Sequence, residues 1–342
     1  MDVADFDYVL PPELIAQHGI EPRDAARLLV VGCTAGEAQH QVVNNLPRLL
    51  RRGDLLVLNR TRVFPARLHA KTVSGGKREV LLVHPDAEQS QAWRVMIRGR
   101  VQEGQTLDVY GVATQVSACH PDGERTLQFP QGIDVLALAE RHGSIPLPPY
   151  IRRAADAHDR SRYQTVFADR VGSVAAPTAS LHLTSELLDR LRAQGVGVAF
   201  VELRVGPGTF KPVDTERVED FRIHAEWGSC PAETVAQINA TRTAGGRVIA
   251  VGTTVVRVLE SAALQSGEIT SWQGWTSIFL HPPQHITTVD GLLTNFHLPR
   301  SSLLMLVACL TGVSRLHELY RTAIDARYRF FSYGDAMLLL PE

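Results

Sequence analysis

The sequence of 342 residues contains little cysteine and almost no lysine. Its four cysteines lie far apart and include no Cys-x-x-Cys pair, so neither a disulfide framework nor a thiolate zinc site is indicated. Only three of the 35 basic residues are lysine, and the others are arginine. A GC-rich coding bias is one explanation for this choice, and the suitability of arginine for bidentate phosphate contacts is the other.

The chain also lacks a large net charge and a long apolar run. Its formal charge at pH 7 is -1, so any nucleic-acid surface has to be a local patch rather than a global basic charge. The longest apolar run, residues 303–310, is too short to span a bilayer. Residues 1–5 are acidic and do not resemble a signal peptide. We therefore expect a cytosolic protein with no membrane association.

Two kinds of sequence pattern alternate along the chain. Residues 1–68 and 151–342 mix helical periodicity with short apolar strands. Residues 69–150 contain short β-type runs that are separated by glycine and proline turns, a pattern typical of a small sandwich or barrel. The sequence therefore predicts a mixed α/β main domain that is interrupted by an inserted all-β, barrel-like domain.

Two glycine-containing loops follow predicted strands. Gly252-Thr253-Thr254 separates a strand from a helix, where small residues at a strand end and a helix N-terminus can bind an anionic ligand. Gly206-Pro207-Gly208-Thr209-Phe210 allows a sharp turn or a close approach to a ligand, but it lacks the Lys-Ser/Thr ending of a P-loop. For both loops, a purely structural turn is the alternative.

Polar groups embedded in apolar sequence form four further blocks. Such groups are costly to bury unless they are paired or used. Three of the blocks contain a histidine next to a proline, a glycine or a helix cap, positions where loops often carry sites. The blocks therefore predict a site assembled from distant segments, although satisfied core histidines are the alternative. The blocks are residues 176–184, 224–227, 294–299 and 328–336.

Three local patterns have two interpretations each. His224 and Glu226 can supply an acid and a base, or form a strand pair that points to one face. The aromatic segment 328–333 can stack on a base, or it can begin a buried C-terminal strand over residues 330–340. His281 and His285 have a spacing used by metal ligands, but the prolines between them prevent the necessary helix. We therefore expect no metal site there.

Taken together, these blocks resemble the S-adenosylmethionine:tRNA ribosyltransferase-isomerase family of queuosine biosynthesis, also called the QueA family. The similarity extends over nearly the whole chain, from Asp5-Phe6-Asp7-Tyr8 to residues 329–337. This resemblance implies a large α/β domain with an inserted β-barrel-like domain, in agreement with the pattern above. The matching blocks also include Asn59-Arg60-Thr61-Arg62-Val63, Gly75-Gly76-Lys77, Tyr163-Gln164-Thr165-Val166, Gly252-Thr253-Thr254 and Asn295-Phe296-His297-Leu298-Pro299.

The resemblance also implies a reaction. The ribosyl moiety of S-adenosylmethionine is transferred to 7-aminomethyl-7-deazaguanine at the tRNA wobble position and isomerised, which gives epoxyqueuosine-tRNA, adenine and methionine. S-adenosylmethionine is then a consumed substrate, and neither a cofactor nor a metal is required. The chemistry needs a base for the 5′ C–H beside the sulfonium and an acid for the departing adenine. The aminomethyl nucleophile has to be neutral, which a base or a desolvated pocket favours.

The resemblance and the embedded polar blocks give three sets of candidate site residues. The acid–base candidates are His182, His224, Glu226, His297 and Asp335, with the assignment of base and acid left open. The substrate-binding candidates are Thr178, Gly206, Gly208, Thr209, Phe210, Gly252, Thr253, Thr254, Asn295, Arg329 and Tyr333. The tRNA-binding candidates are Arg152, Arg153, Arg160 and Arg162. We expect Asp335 or Glu226 to pair with the sulfonium or the methionine amino group, and Gly252-Thr253-Thr254 to bind the methionine carboxylate.

The chain departs from the family pattern within three signature blocks. Ser180 replaces a usual glycine, Arg204 a usual histidine and Gly228 a usual aromatic residue. Two alternatives to the leading hypothesis therefore remain: ribosyl transfer from S-adenosylmethionine to a different acceptor, and a non-catalytic RNA-binding paralogue. A conventional methyltransferase is less favoured, because the chain has no glycine-rich strand–loop–helix near its start. We expect a monomer.

Overall fold

The protein was analysed as a computed structural model that describes residues 1–86, 89, 91–210 and 213–341. The strands in these residues are β1 (Arg27–Gly32), β2 (Gln39–Val42), β3 (Leu55–Asn59), β4 (Thr61–Val63), β5 (Arg67–Thr72), β6 (Lys77–Pro85), β7 (Ala92–Arg98), β8 (Thr106–Val109), β9 (Val112–Cys119), β10 (Arg125–Gln128), β11 (Arg170–Ser173), β12 (Gly197–Leu203), β13 (Glu226–Cys230), β14 (Val248–Val251), β15 (Trp272–Thr276), β16 (Gly291–Asn295) and β17 (Ala336–Leu340). The helices are α1 (Leu46–Leu49), α2 (Val135–His142), α3 (Asp159–Arg162), α4 (Ser185–Ala193), α5 (Ala232–Thr243), α6 (Thr253–Ala263), α7 (Ser302–Thr311) and α8 (Val313–Asp325).

The main sheet has nine strands among the described residues, in the order β15-β13-β12-β3-β14-β16-β17-β1-β2. Strands β12, β3, β14 and β16 run parallel to their neighbours in this series. Strands β13 and β17 run antiparallel to β12 and β16, so they begin where those strands end. The carboxyl ends of four strands and the amino ends of two others therefore meet at one edge, here called the C-terminal edge. Ligand crevices in open α/β sheets form at this kind of edge.

Helices cover both faces of the main sheet. Apolar side chains of α5, α6, α7 and α8 pack on one face, and those of α1 and α4 pack on the other. Strand β3 is buried along its whole length, as its continuous apolar sequence predicts. Burying a leucine or valine side chain contributes roughly 1.5–3 kcal/mol. These layers therefore hold the C-terminal edge in a fixed geometry.

A closed antiparallel barrel, in the strand order β10-β7-β6-β5-β8-β9, forms the second part of the fold. Its interior is filled by side chains that include Leu68, Val80, Trp93 and Val95. Closure removes exposed strand edges, so this small unit presents no edge for pairing with another chain. The predicted fold class, a mixed α/β domain with an inserted barrel, is confirmed. The domain boundaries predicted after residues 68 and 150 stay a prediction, and the barrel strands lie between Arg67 and Gln128.

One local expectation was wrong. The C-terminal strand begins at Ala336, not at residue 330, because the preceding segment turns and Phe331 has a φ of 71°. In the described part of the chain, no single helix is long and apolar enough to cross a membrane. Helices α7 and α8, which are bent by 111° at their junction, reach that length and composition only as a pair.

Candidate active site

A small cavity, here called the strand-end cavity, opens at the C-terminal edge of the main sheet. It has a volume of about 70 Å³, and Tyr150, Val205 and Phe331 form part of its wall. Segments that are far apart in the sequence supply the rest of the lining, as the embedded polar blocks predict. The predicted site residues that line it are Thr178, Gly252, Thr253, Thr254, Asn295 and His297.

The N-terminus of helix α6 lies against the strand-end cavity. Gly252, the residue before the helix, has a φ of +97°, a conformation that glycine adopts without the cost of a side chain. Among the described residues, no side chain caps this helix start. The Gly252 N–H donates to the Leu293 carbonyl at 2.8 Å and the Val255 N–H to the Gly252 carbonyl at 3.1 Å. The N–H groups of Thr253 and Thr254, between them, lie at the positive end of the helix dipole. This end of the cavity therefore suits a carboxylate.

Two oxygen atoms at the strand-end cavity are buried without a hydrogen-bond partner in the described structure: Thr254 Oγ1 and Asn295 Oδ1. The other end of the Asn295 amide is occupied, because Nδ2 donates to the Phe331 carbonyl at 3.0 Å. Asn295 Nδ2 also lies 3.2 Å from His182 Nε2. A buried polar atom left without a partner costs about 1–3 kcal/mol. These two oxygens are therefore available to accept hydrogen bonds from polar groups that enter the cavity.

His297 is buried at the strand-end cavity and is held on several sides. Its ring Nε2 lies 2.8 Å from Thr294 Oγ1. Its backbone N–H donates to the Tyr320 hydroxyl, and its backbone carbonyl accepts from the Tyr8 hydroxyl. Burial lowers the pKa of His297 to about 3. The ring is therefore neutral at pH 7, so it can accept a proton or share its ring N–H, but it does not carry the extra proton of an imidazolium.

His182 lies behind the cavity, in contact with Asn295. Burial lowers its pKa to about 3, with further contributions from the charges of Arg162 and Arg329. In the described structure this histidine does not line the cavity. His182 is therefore connected to the cavity through the Asn295 amide.

A larger opening, here called the barrel cleft, separates the barrel from the main sheet. It consists of two adjoining cavities of about 290 Å³ and 370 Å³ that share Gly206, Glu226 and Trp275. Val205 lines both the barrel cleft and the strand-end cavity. The sequence predicts one site, whereas the structure has two compartments that share Val205 as a wall. The predicted site residues that line the cleft are Gly206, Gly208, His224 and Glu226.

The Glu226 side chain anchors the wall of the cleft. Its Oε1 accepts a hydrogen bond from the Gly206 N–H at 2.7 Å, and its Oε2 accepts one from Arg257. The side chains of Glu226 and Arg257 are each only 5% exposed. Sequence reasoning missed Arg257, although a lone charge within Val255-Val256-Arg257-Val258-Leu259 is a signal for a buried ion pair.

His224 lies in the barrel cleft, but it does not form a strand pair with Glu226. Strand β13 begins only at Glu226, so the alternative in which both residues lie on one strand is wrong. A ring nitrogen of His224 and carboxylate oxygens of Asp122 and Glu124 lie within 4.8 Å of one another, a set that can hold a metal ion. Arg94 already donates to Asp122 and to Glu124, each at 2.9 Å. A cation at this position would have to compete with that guanidinium.

The structure places Asp335, Arg329 and Tyr333 outside both compartments, within the described residues. Asp335 accepts hydrogen bonds from the Arg27 and Arg329 amides at 3.1 and 2.8 Å, and it pairs with the Arg329 side chain. The Tyr333 hydroxyl donates to Asp159 at 2.7 Å. These contacts hold the turn that precedes β17, and the catalytic and substrate-binding roles expected for the three residues stay predictions.

The four arginines predicted to bind tRNA differ in exposure. Arg162 is buried, pairs with Glu21 and donates to the Ile20 carbonyl. Its expected contact with tRNA stays a prediction. Arg153 is largely engaged by two hydrogen bonds to Asp159, at 2.6 and 2.7 Å. Arg152 and Arg160 are exposed, the latter beside Glu140. The backbone of Thr209 and Phe210 lies in the 3-10 turn Pro207–Phe210, and their side chains lie outside the described part of the protein.

Known proteins similar to this chain support the family resemblance. The chain is 48% identical to the S-adenosylmethionine:tRNA ribosyltransferase-isomerase of Geobacter sulfurreducens, over 99% of this chain and 100% of that protein. It is 49% identical to the protein of the same name from an Anaeromyxobacter species, over 99% of each. A crystal structure of S-adenosylmethionine tRNA ribosyltransferase from Thermotoga maritima matches 98% of this chain with a TM-score of 0.57 and 36% identity. Since the queuosine biosynthesis protein family also matches residues 3–339, the chain belongs to that family.

Proposed function

We propose that the chain catalyses the transfer and isomerisation of the ribosyl moiety of S-adenosylmethionine onto 7-aminomethyl-7-deazaguanine at the tRNA wobble position. The products are epoxyqueuosine-tRNA, adenine and methionine. Family membership supports this reaction, as do the relatives that carry its name over their full length. The structural observation that carries it is the strand-end cavity, which places an uncapped helix start next to two unpartnered oxygens.

S-adenosylmethionine has a carboxylate, an ammonium group and a sulfonium close together at one end. In our proposal the carboxylate binds at the N-terminus of α6, and the ammonium group donates to Thr254 Oγ1 and Asn295 Oδ1. The strand-end cavity has a volume of about 70 Å³, below the roughly 300 Å³ of an ordinary ligand site, so it holds only the methionine part. The ribosyl and adenine parts then extend past Val205 into the barrel cleft.

The reaction needs three proton-handling features. A base removes the 5′ proton beside the sulfonium, an acid protonates the departing adenine, and the aminomethyl nucleophile is kept neutral. Among the described residues, His297 lines the strand-end cavity, and His224 and His84 line the barrel cleft. Of these, His297 and His224 are the predicted acid–base groups. Because burial lowers the pKa of His297 to about 3, the ring holds no imidazolium proton to deliver at pH 7. Glu226 acts by positioning, since Gly206 and Arg257 engage its two oxygens.

The remaining parts of the proposal concern partners and surroundings. Arg152 and Arg160 are the exposed members of the predicted tRNA-contacting set, so they are the ones able to meet phosphates. Neither a cofactor nor a metal is needed, because the chemistry consists of proton transfers and displacements on S-adenosylmethionine itself. Since tRNA is the acceptor, we propose that the enzyme acts in the cytosol, as a monomer.

The test is incubation with S-adenosylmethionine and tRNA that carries 7-aminomethyl-7-deazaguanine, followed by nucleoside mass spectrometry and an assay of free adenine. We expect epoxyqueuosine with one adenine released for each nucleoside formed. Binding of S-adenosylmethionine without this product would favour a different acceptor, an alternative motivated by Arg204, which replaces a family histidine at the barrel cleft. Failure to bind either substrate would favour a non-catalytic paralogue.

A further inference from the structure

An exposed tryptophan lies at the mouth of the barrel cleft. Trp275 on β15 lies directly opposite Trp227 on β13, at the end of the main sheet. Residues opposite each other in an antiparallel pair point to the same face of the sheet, so the two indoles lie on one face. Trp275 is 52% exposed, which is unusual for the largest apolar side chain. The pairing of β15 with β13 does not require an indole at this position.

Flat groups surround Trp275 and Trp227. The ring of His84, on barrel strand β6, lies 4.9 Å from Trp275 between ring centroids. The guanidinium of Arg204 lies 4.1 Å above the ring of Trp227 and accounts for a cation–π contact. Arg204 is held in place, since its side chain donates to Glu202 at 2.9 Å and its N–H donates to the Trp227 carbonyl at 2.8 Å. The mouth is therefore a rigid set of planar surfaces.

Most of the charged side chains that line the cleft are paired, Asp86 being a further charge in the lining. Glu226, deeper in the cleft, pairs with Arg257, and Asp122 and Glu124 pair with Arg94. Recognition at the mouth therefore depends on planar and apolar contact more than on a net charge. Bases in single-stranded RNA have this character, because every base offers a π-face and stacks on aromatic rings or on guanidinium planes.

We infer that the mouth of the barrel cleft binds unpaired bases of the acceptor RNA, with Trp275 as the principal stacking surface. This inference rests on the proposed function, because the cleft also has to admit the base that is modified. An enzyme that modifies a base has to take it out of its stack, and the neighbouring bases then need new stacking partners. The cavity of about 370 Å³ that Trp275, Trp227 and His84 line offers such partners, and Gly206 and Glu226 line the same cavity.

The test compares Trp275→Ala and Trp275→Phe with the unaltered enzyme. The RNA is tRNA carrying 7-aminomethyl-7-deazaguanine, and the measurements are its KM and Kd at several salt concentrations. A stacked base is worth about 1–3 kcal/mol, so we expect Trp275→Ala to raise both constants roughly fivefold to 150-fold. Trp275→Phe retains most of the affinity, and the KM for S-adenosylmethionine is unchanged. The salt dependence of RNA binding keeps its slope, whereas Arg152→Glu reduces that slope.

A matched control and a folding check accompany these variants. Leu264, which is 73% exposed and outside both compartments in the described structure, is replaced by alanine and is expected to change neither constant. Since Trp275 is half exposed, the alanine variant keeps its thermal transition.

If the unaltered enzyme forms the product and Trp275→Ala has the same KM and Kd for tRNA, the inference is overturned while the proposed function stands. RNA binding that depends on Trp275 without product formation supports the inference and overturns the reaction. Absence of RNA binding by the unaltered enzyme overturns both.

Discussion

Arg257 donates a hydrogen bond to Glu226 in the interior of the protein, where helix α6 packs against the first residue of strand β13. Glu226 in turn accepts from the Gly206 N–H, so a single carboxylate joins a helix, a strand and the loop between the two compartments. Each side chain of this ion pair is only 5% exposed. The pair therefore connects the core of the main domain to the geometry of the site.

Replacing Arg257 by methionine is expected to lower the free energy of unfolding by about 3–5 kcal/mol, because it leaves the Glu226 carboxylate buried without its charge partner. Urea denaturation measures this change. The matched control is Arg192→Met, which breaks an exposed pair with Asp189 and is expected to cost less than about 1 kcal/mol. In the double variant with Glu226→Leu, much of the lost stability returns. Equal stabilities of Arg257→Met and the unaltered protein would contradict this role.

Thr254→Val is expected to raise the KM for S-adenosylmethionine while leaving the ligand-free protein as stable as before, or more stable. The reason is that Thr254 Oγ1 is buried without a partner among the described residues, so an isosteric methyl group removes a cost until a ligand binds. Enzyme kinetics and thermal denaturation measure the two effects. Thr234→Val is the control, since its hydroxyl donates to the Phe200 carbonyl at 2.6 Å and its loss should destabilise the protein. A destabilised Thr254→Val variant with an unchanged KM would refute the assignment.

His297→Gln is expected to reduce the rate of adenine release by roughly 10²–10⁴-fold, the usual contribution of a positioned acid–base group. The ring lines the strand-end cavity, so the loss should affect kcat more than the affinity for S-adenosylmethionine. Single-turnover adenine release and equilibrium binding separate the two quantities. His158→Gln is the control, because that side chain is 67% exposed. Turnover of His297→Gln at the rate of the unaltered enzyme would remove His297 from the mechanism.

Acid is expected to destabilise the protein through His182 and His297. Their pKa values are lowered from 6.5 to about 3 in the folded chain, chiefly by burial. Above pH 6.5 both states hold these rings neutral and they contribute no pH dependence. As the pH falls from 6.5 towards 3, the unfolded chain binds protons that the folded chain does not, so the free energy of unfolding falls.

Below about pH 6 the slope is up to about 1.4 kcal/mol per pH unit for each histidine. Urea denaturation between pH 5 and pH 7 measures it, and this range lies above the window in which Asp159, whose pKa is lowered to about 2, contributes. His182→Gln should flatten the dependence, whereas His158→Gln should not. An identical slope for His182→Gln and the unaltered protein would show that His182 is protonated in the folded state.

Exhaustive dialysis against EDTA is expected to leave adenine release unchanged. The donor set of Asp122, Glu124 and His224 is already neutralised in part by Arg94, and the proposed chemistry does not call for a Lewis acid. Metal analysis of the dialysed protein checks that removal is complete. Activity that is lost on dialysis and restored by a divalent cation would show that the cluster holds a functional metal.

Much of the fold follows from the sequence because periodicity reports burial directly. The continuous apolar run of β3 predicts a strand covered on both faces, and the alternation of Trp93, Val95 and Ile97 with Arg94 and Met96 predicts a barrel strand with one buried face. Loop conformation is less predictable. The turn before β17 depends on Asp335 accepting amides from Arg27 and Arg329, and that contact spans more than three hundred residues on one side.

The site was only partly predictable for the same reason. Asp335 and Asn295 both look like polar residues in apolar surroundings, but one carboxylate is satisfied by backbone amides while one amide oxygen lacks a partner in the described structure. Sequence alone does not distinguish a carboxylate that backbone amides satisfy, as in Asp335, from an amide oxygen that lacks a partner, as in Asn295. Both residues fit the rule that buried polar groups are paired or used. The stacking surface proposed at Trp275 was also missed, because Trp227 lies opposite Trp275 only once β13 pairs with β15, and His84 reaches Trp275 only once the barrel docks on the sheet.

Val205 forms a wall with a face on each compartment, and its backbone is fixed by hydrogen bonds to Ser173 and Val174. A single residue thus separates the place proposed for an amino-acid moiety from the place proposed for a nucleobase. An inhibitor that joins a carboxylate head to a planar heterocycle through a linker across Val205 would engage both at once. Because the second contact would then be intramolecular, the affinity of such a molecule would exceed that of either half alone.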